Sequence, residues 1–294
     1  MSAAQPGILQ PVPAVARHLV FTHTLDSNPV EQLRRLQDVA DGETLVVGLG
    51  QSLLAHLGSE IKGMQDMPVL SGSAVEIPST PASLWIWLRG KDRGDLVVKT
   101  SELKQRLAGA FELRDVVDCF KYRDSRDLSG YVDGTENPVG EDAERAALVS
   151  SNIAGLEDSS FASVQQWLHN LGHFQSLPQS EQDNIMGRRR ADNEEFDEAP
   201  ESAHVKRSAQ ESFAPEAFML RRSLPWNNET QEGLMFVSFG KNFDAFNAIM
   251  ERMVGIDDGI TDGLFRFTQP INGGFFWCPP MKGGKLNLEL LKID

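Results

Sequence analysis

The chain sets 42 acidic against 28 basic side chains over 294 residues, a formal charge of −14 that repels phosphate backbones and anionic membrane surfaces and argues against nucleic acid as a partner. With 40% hydrophobic and 24% charged residues, it has the composition of a globular protein that can bury one large core or two medium ones. Two cysteines far apart in sequence, Cys119 and Cys278, write neither a disulfide framework nor a zinc ligand set.

Strand-like segments rich in Val, Leu, Phe and Trp are predicted at 17–25, 44–49, 84–89 and 111–122. Residues 29–41 and 99–109 carry Leu33, Leu36, Val39, Leu103 and Leu107 at helical spacing between them. A punctuated loop at 129–140 follows. A second set of strands is expected at 159–168, 217–223, 233–238 and 264–276, with a helix at 242–254 placing Phe243, Phe246, Ile249, Met250 and Met253 on one side. Residues 179–216 read as a long irregular excursion, basic at Arg188-Arg189-Arg190 and then acidic. The element order predicts two α+β halves of related design, each an antiparallel sheet with helices on one face.

The opening Met1-Ser-Ala-Ala-Gln-Pro-Gly7 has no basic stretch, apolar stretch or twin-arginine pair. The longest apolar runs, 45–49 and 84–88, are too short to span a bilayer. The expectation is a cytoplasmic protein without a membrane partner.

Four segments can carry chemistry. In Gly130-Tyr131-Val132-Asp133-Gly134-Thr135-Glu136-Asn137-Pro138, the plain reading is a tight turn. The functional reading is a carboxylate, Asp133, brought close to a cofactor by flanking glycines. Among six histidines (His18, His23, His56, His169, His173 and His204), only His169 and His173 stand at i, i+4; lacking the intervening Glu of a zinc motif, they read as a solvated or capping pair. His204, alone, reads as structural unless the metal belongs to a haem, which needs one axial histidine. Strand alternation at Leu220-Arg221-Arg222-Ser223 puts Arg221 and Ser223 on one face and Arg222 on the other. Asp262 reads as a turn aspartate, or as an acceptor for a ligating histidine.

Taken in order, these segments resemble the dye-decolorising peroxidases, most closely the bacterial B-type group. The Gly-x-x-Asp-Gly motif stands at Gly130–Gly134 and continues as Thr-Glu-Asn-Pro. Gly187-Arg188 with Asn193-Glu194-Glu195, Ala203-His204-Val205, Leu220-Arg221-Arg222-Ser223-Leu224-Pro225 and Phe267-Thr268-Gln269-Pro270 with Asn272-Gly273-Gly274-Phe275-Phe276 match further segments of that family. Many members carry Asn where Ser223 stands.

The resemblance implies two ferredoxin-like halves, 1–145 with the Gly-x-x-Asp-Gly loop and 146–294 binding one haem b. It implies a peroxidase that reduces hydrogen peroxide and oxidises dyes, phenols or other small reductants through a ferryl intermediate. His204 would be the axial ligand and Asp262 its carboxylate partner. Asp133 would move the peroxide proton and Arg221 would stabilise negative charge, with Ser223 beside them. Arg188 would pair with a haem propionate. Surface relays to bulky dyes have candidates in Tyr122, Tyr131, Trp167, Trp226 and Trp277, each better read as packing. Self-association into a homo-oligomer is expected; encapsulation through a C-terminal tail is not. The rival readings are a haem-handling or haem-storage protein with incidental peroxidase activity, and a haem-free α+β binding or regulatory protein with a structural His204.

Overall fold

The computed structural model describes residues 2–72 and 75–293. The first half contributes strands β1 (Val15–His23), β2 (Leu45–Leu49), β3 (Leu84–Gly90) and β4 (Phe111–Phe120). The second contributes β5 (Ser160–His169), β6 (Leu224–Asn227), β7 (Glu232–Gly240) and β8 (Gly274–Cys278). The hydrogen-bonded order is β2-β3-β1-β4 in one half and β6-β7-β5-β8 in the other, the same ferredoxin-like arrangement twice.

The two sheets do not stay apart. Trp277 of β8 pairs with Leu49 of β2, and Trp226 of β6 pairs with Cys119 of β4. Every ladder is antiparallel, and the two joins close all eight strands into one barrel that leaves no open edge between the halves. Closure also explains the composition of the strands. In β3, Trp85 and Trp87 point into the barrel, while Leu84, Ile86 and Leu88 pack outward, and all five are buried. A strand buried on both faces reads as a continuous apolar run, as 44–49 and 84–89 do.

Aromatic rings fill the barrel. His18, Trp85 and Trp87 cluster with centroids 5.8–6.3 Å apart, and Trp85 Nε1 donates to His18 Nδ1 at 3.2 Å. Burial pushes this imidazole down to about 3, so His18 is a neutral packing group. Tyr131, Trp167, Trp226 and Trp277 are also buried, in keeping with the packing reading.

Helices cover the outside. In α1 (Val30–Gln37), Leu33 and Leu36 face the first half's sheet. In α2 (Arg93–Leu107), Leu96, Thr100, Leu103 and Leu107 are buried. The helix starts six residues before the expected 99 because Asp92 caps it, accepting from Gly94 N and Asp95 N at 2.7 and 3.2 Å. The halves are joined through α3 (Glu141–Ala147), so the division expected between 145 and 146 falls inside a helix.

Three other expectations are corrected. Residues 179–216 are not wholly irregular: α4 (Gln179–Met186) and the single turn α5 (His204–Arg207) lie within them. Residues 264–276 are not one strand but a 3-10 turn (Gly263–Arg266), a short strand (Thr268–Pro270) and β8, divided at Ile271-Asn272-Gly273. His169 and His173 are not a solvated or capping pair either. His169 is the buried last residue of β5, whereas His173 is exposed on the following short helix. Among the described residues, no helix is long and apolar enough to cross a membrane.

Candidate active site

Helix α6 (Asp244–Met253) packs over the outer face of the second half's sheet. Between them lies a cavity of about 370 Å³. Its apolar walls include Phe236 of β7 and Phe246, Ile249, Met250 and Met253 of α6. Asp133, Arg188, His204 and Arg221 all reach the same space. Asp262 lies behind His204, and Ser223 lies outside the cavity's lining.

His204 opens α5, and that turn is held on three sides. Arg207 grips Asp258 with both terminal nitrogens (2.7 and 2.8 Å) and donates to the Arg252 carbonyl at 2.5 Å, tying α5 to the end of α6. Ser208 Oγ donates to the His204 carbonyl at 2.7 Å. Gly187 ends α4 with φ +81°, and a Cβ there would lie 2.3 Å from Val205 Cγ2. Glycine therefore serves both the left-handed backbone and the close approach to α5.

The imidazole is fixed by Asp262. His204 Nδ1 lies 2.8 Å from Asp262 Oδ2, and the carboxylate's other oxygen accepts from Leu264 N at 2.8 Å, capping the 3-10 turn. The Asp262 side chain is fully buried. Nε2 of His204 makes no hydrogen bond among the described residues. A carboxylate holding one ring nitrogen orients the other and makes it more electron-donating. Asp262→Asn should keep the cap while losing this acceptor. If His204 is the axial ligand that the resemblance implies, haem affinity should then fall about 10- to 100-fold, read from haem dissociation rates, with little change in melting temperature. Unaltered dissociation would remove Asp262 from the site.

Asp133 sits on a loop pinned along its length. Its own N–H donates to the Ser125 carbonyl at 3.0 Å. Thr135 Oγ1 accepts from Asn193 at 3.1 Å, and Glu136 is held by Arg188 (2.9 Å) and, through its carbonyl, by Gln210 (3.0 Å). Burial raises the Asp133 carboxyl above its ordinary value, and the Arg221 charge pulls against that. Arg221 lines the cavity, and its Nε is buried without a hydrogen-bond partner among the described residues. An unpartnered buried donor is costly unless a ligand meets it.

The remaining expected residues are placed differently from one another. The register Arg221↔Ser238 continues through Leu224↔Met235, so Arg221 and Ser223 share a face. Ser223 nevertheless lines a second cavity of about 210 Å³, whose wall shares Asp133, Gly134 and Arg221 with the larger one. Its Oγ accepts weakly from Val237 N at 3.4 Å. Arg222 turns away to the carbonyls of Ile8 and Leu9. Arg188 lines the large cavity but is engaged by Glu136, Glu195 and the Asn193 carbonyl.

Sequence reasoning missed a buried group in the wall. His169 Nε2 lies 2.9 Å from Asp127 Oδ1, and Nδ1 lies 2.6 Å from Thr268 Oγ1. The pair ties the start of the Asp133 loop to β5. Its signal was the end-of-strand position of His169, which helical spacing disguised.

The donor set fits a haem: one imidazole with a free nitrogen, apolar walls for a flat macrocycle, and a carboxyl and guanidinium with unfilled bonding capacity. Comparison with known proteins points the same way. The family described as "Dyp-type peroxidase, C-terminal" matches residues 124–283. The dye-decolorizing peroxidase of Rhodococcus erythropolis is 29% identical over 248 residues, covering 82% of this chain and 73% of that protein. A putative Dyp-type peroxidase structure from Shewanella oneidensis superposes with a TM-score of 0.88 at 26% identity, covering 99% and 98% of the two chains. A variant of Rhodococcus jostii DypB in complex with heme gives 0.83 at 26% identity, over 92% and 94%.

Proposed function

Because this chain belongs to the Dyp-type peroxidase family and is a haem peroxidase, we propose that it binds one haem b in the large cavity through His204, as a member of the B-type group. The observation that carries this is the single cavity shared by Asp262-bound His204, Asp133 and Arg221. A haem held there would supply the redox-active iron that peroxidase chemistry needs.

The protein's part follows from its residues. Asp262 holds the His204 ring with Nδ1 protonated, leaving Nε2 as the metal donor. Asp133 accepts a proton from hydrogen peroxide and returns it to the departing oxygen, general acid-base work for a carboxyl that burial raises above its ordinary value. Arg221, permanently charged, meets the negative charge that develops there. The apolar surface of Phe236, Phe246 and Met250 excludes water. Arg188, now held by Glu136 and Glu195, would be the residue to pair with a haem propionate. Ser223 supports the Arg221 strand at the edge of the smaller cavity. Residues 1–145 and 146–294 form the two functional halves, the second carrying the haem.

Small phenols and dyes serve as reductants, and hydrogen peroxide is the oxidant. A cytoplasmic location is supported by Cys119 and Cys278, both buried and unpaired. Self-association into a homo-oligomer completes the proposal. The test is steady-state oxidation of a phenol or dye by peroxide. Haem-loaded protein should exceed free haemin at equal iron by at least about a hundredfold, the range general acid-base assistance supplies. Stable haem binding with turnover no better than free haemin would leave a haem-handling protein instead.

A further inference from the structure

The Asp133 loop and the Arg221 strand are far apart in sequence, and one side chain joins them. Asn137 Oδ1 accepts from Arg221 N at 2.8 Å, and Asn137 Nδ2 donates to Arg221 O at 3.1 Å. The register explains why this pairing is available. Arg222 N donates to Val237 O at 2.8 Å, so the hydrogen-bonding groups of Arg222 face β7. Backbone direction alternates along a strand, so those of Arg221 face the open side. The Asn137 amide occupies that side as a neighbouring strand would. Its own N–H closes a turn to the Gly134 carbonyl at 3.1 Å. Gly134, at φ +77°, makes room for it, since a Cβ there would lie 2.8 Å from Asn137 Nδ2.

Resting on the role given to Arg221 above, we infer that Asn137 is a positioning residue that fixes Arg221 relative to Asp133 through a two-point amide clamp. Arg221 Nε has no partner of its own among the described residues, so nothing at that atom restrains the guanidinium. The direction of its stem is set at the backbone, where Asn137 acts. Losing the clamp leaves Arg221 N open to water and Arg221 O held only by Arg222 Nη1 at 3.1 Å, and small misplacements of a catalytic group cost much.

The experiment measures fluoride binding to haem-loaded ferric protein, because an anion at the iron accepts a hydrogen bond from a correctly aimed guanidinium. Wild type, Asn137→Ala, Arg221→Leu and the double variant form a cycle. Each single change should weaken fluoride binding about tenfold, the size of a charge-assisted hydrogen bond, and the double variant should be no weaker than either by more than about twofold. Wild-type affinity in Asn137→Ala, or losses that multiply in the double variant, would overturn the inference and leave Asn137 a structural turn residue. If Arg221→Leu itself binds fluoride like wild type, the role of Arg221 falls and that of Asn137 falls with it. Asn137→Asp keeps the acceptor for Arg221 N and loses the donor to Arg221 O, so it should give an intermediate loss. Should the alanine variant not fold, wild-type affinity in the aspartate variant would overturn the inference.

Discussion

His204→Ala is expected to yield a folded protein whose haem affinity is at least about a hundredfold lower, since an axial imidazole and its oriented partner are lost together. The barrel should survive, because α5 is anchored by Arg207 to Asp258 and not by the imidazole. Stability should nevertheless drop by about 1–3 kcal/mol, the cost of leaving a buried acceptor unpaired, because Asp262 Oδ2 loses its partner. The vacated ring space adjoins the cavity, so water can reach that oxygen and keep the loss toward the low end. Equilibrium haem titration and thermal unfolding of the apoprotein measure the two effects separately.

Arg221→Leu is expected to slow the reaction with peroxide by at least tenfold, with haem still bound. Removing one fixed donor from a site of developing charge generally costs about 2.7–4 kcal/mol of barrier; the lower expectation allows Asp133 to carry part of the load. A pH signature accompanies it. Burial raises the Asp133 carboxyl and the Arg221 charge lowers it, so removing that charge raises the carboxyl further. Asp133 must be ionised to take a proton. The acid limb of the rate profile, already above the ordinary carboxylate position, should therefore move to still higher pH in the variant. Stopped-flow rates across pH measure both, and an unchanged rate would end the role of Arg221. An acid limb moving downward would separate Asp133 from that limb.

How much of this could be read beforehand depended on the kind of interaction. Strands buried on both faces were legible as continuous apolar runs, as in Leu84–Gly90, whereas Leu224–Asn227 lies just beyond the strand expected at 217–223 and Gly274–Cys278 forms only the end of the one expected at 264–276. Barrel closure was not legible, since it rests on single pairings such as Trp277 with Leu49 that carry no local pattern. Helix α4 was hidden because its buried side consists of Gln182 and Ile185, too weak an apolar stripe to show a period. The residues to which chemistry is assigned stand in recognisable motifs, whereas the contacts that support them do not. Asn137 acts through its amide on another strand's backbone, and His169 through a carboxylate 42 positions away. Neither contact leaves a trace in spacing. Ser223 shows the opposite limit, because alternation gave its face correctly but not which of two adjoining cavities it lines.

The measurement that bears most directly on the central claim is the absorption spectrum of haem-loaded wild type and His204→Ala, before and after one equivalent of hydrogen peroxide. The account predicts a Soret band in wild type that saturates at one haem per chain and shifts on peroxide, and a band lost or grossly altered in the variant. A wild-type spectrum that shows no bound haem, or one that His204→Ala reproduces unchanged, would contradict it.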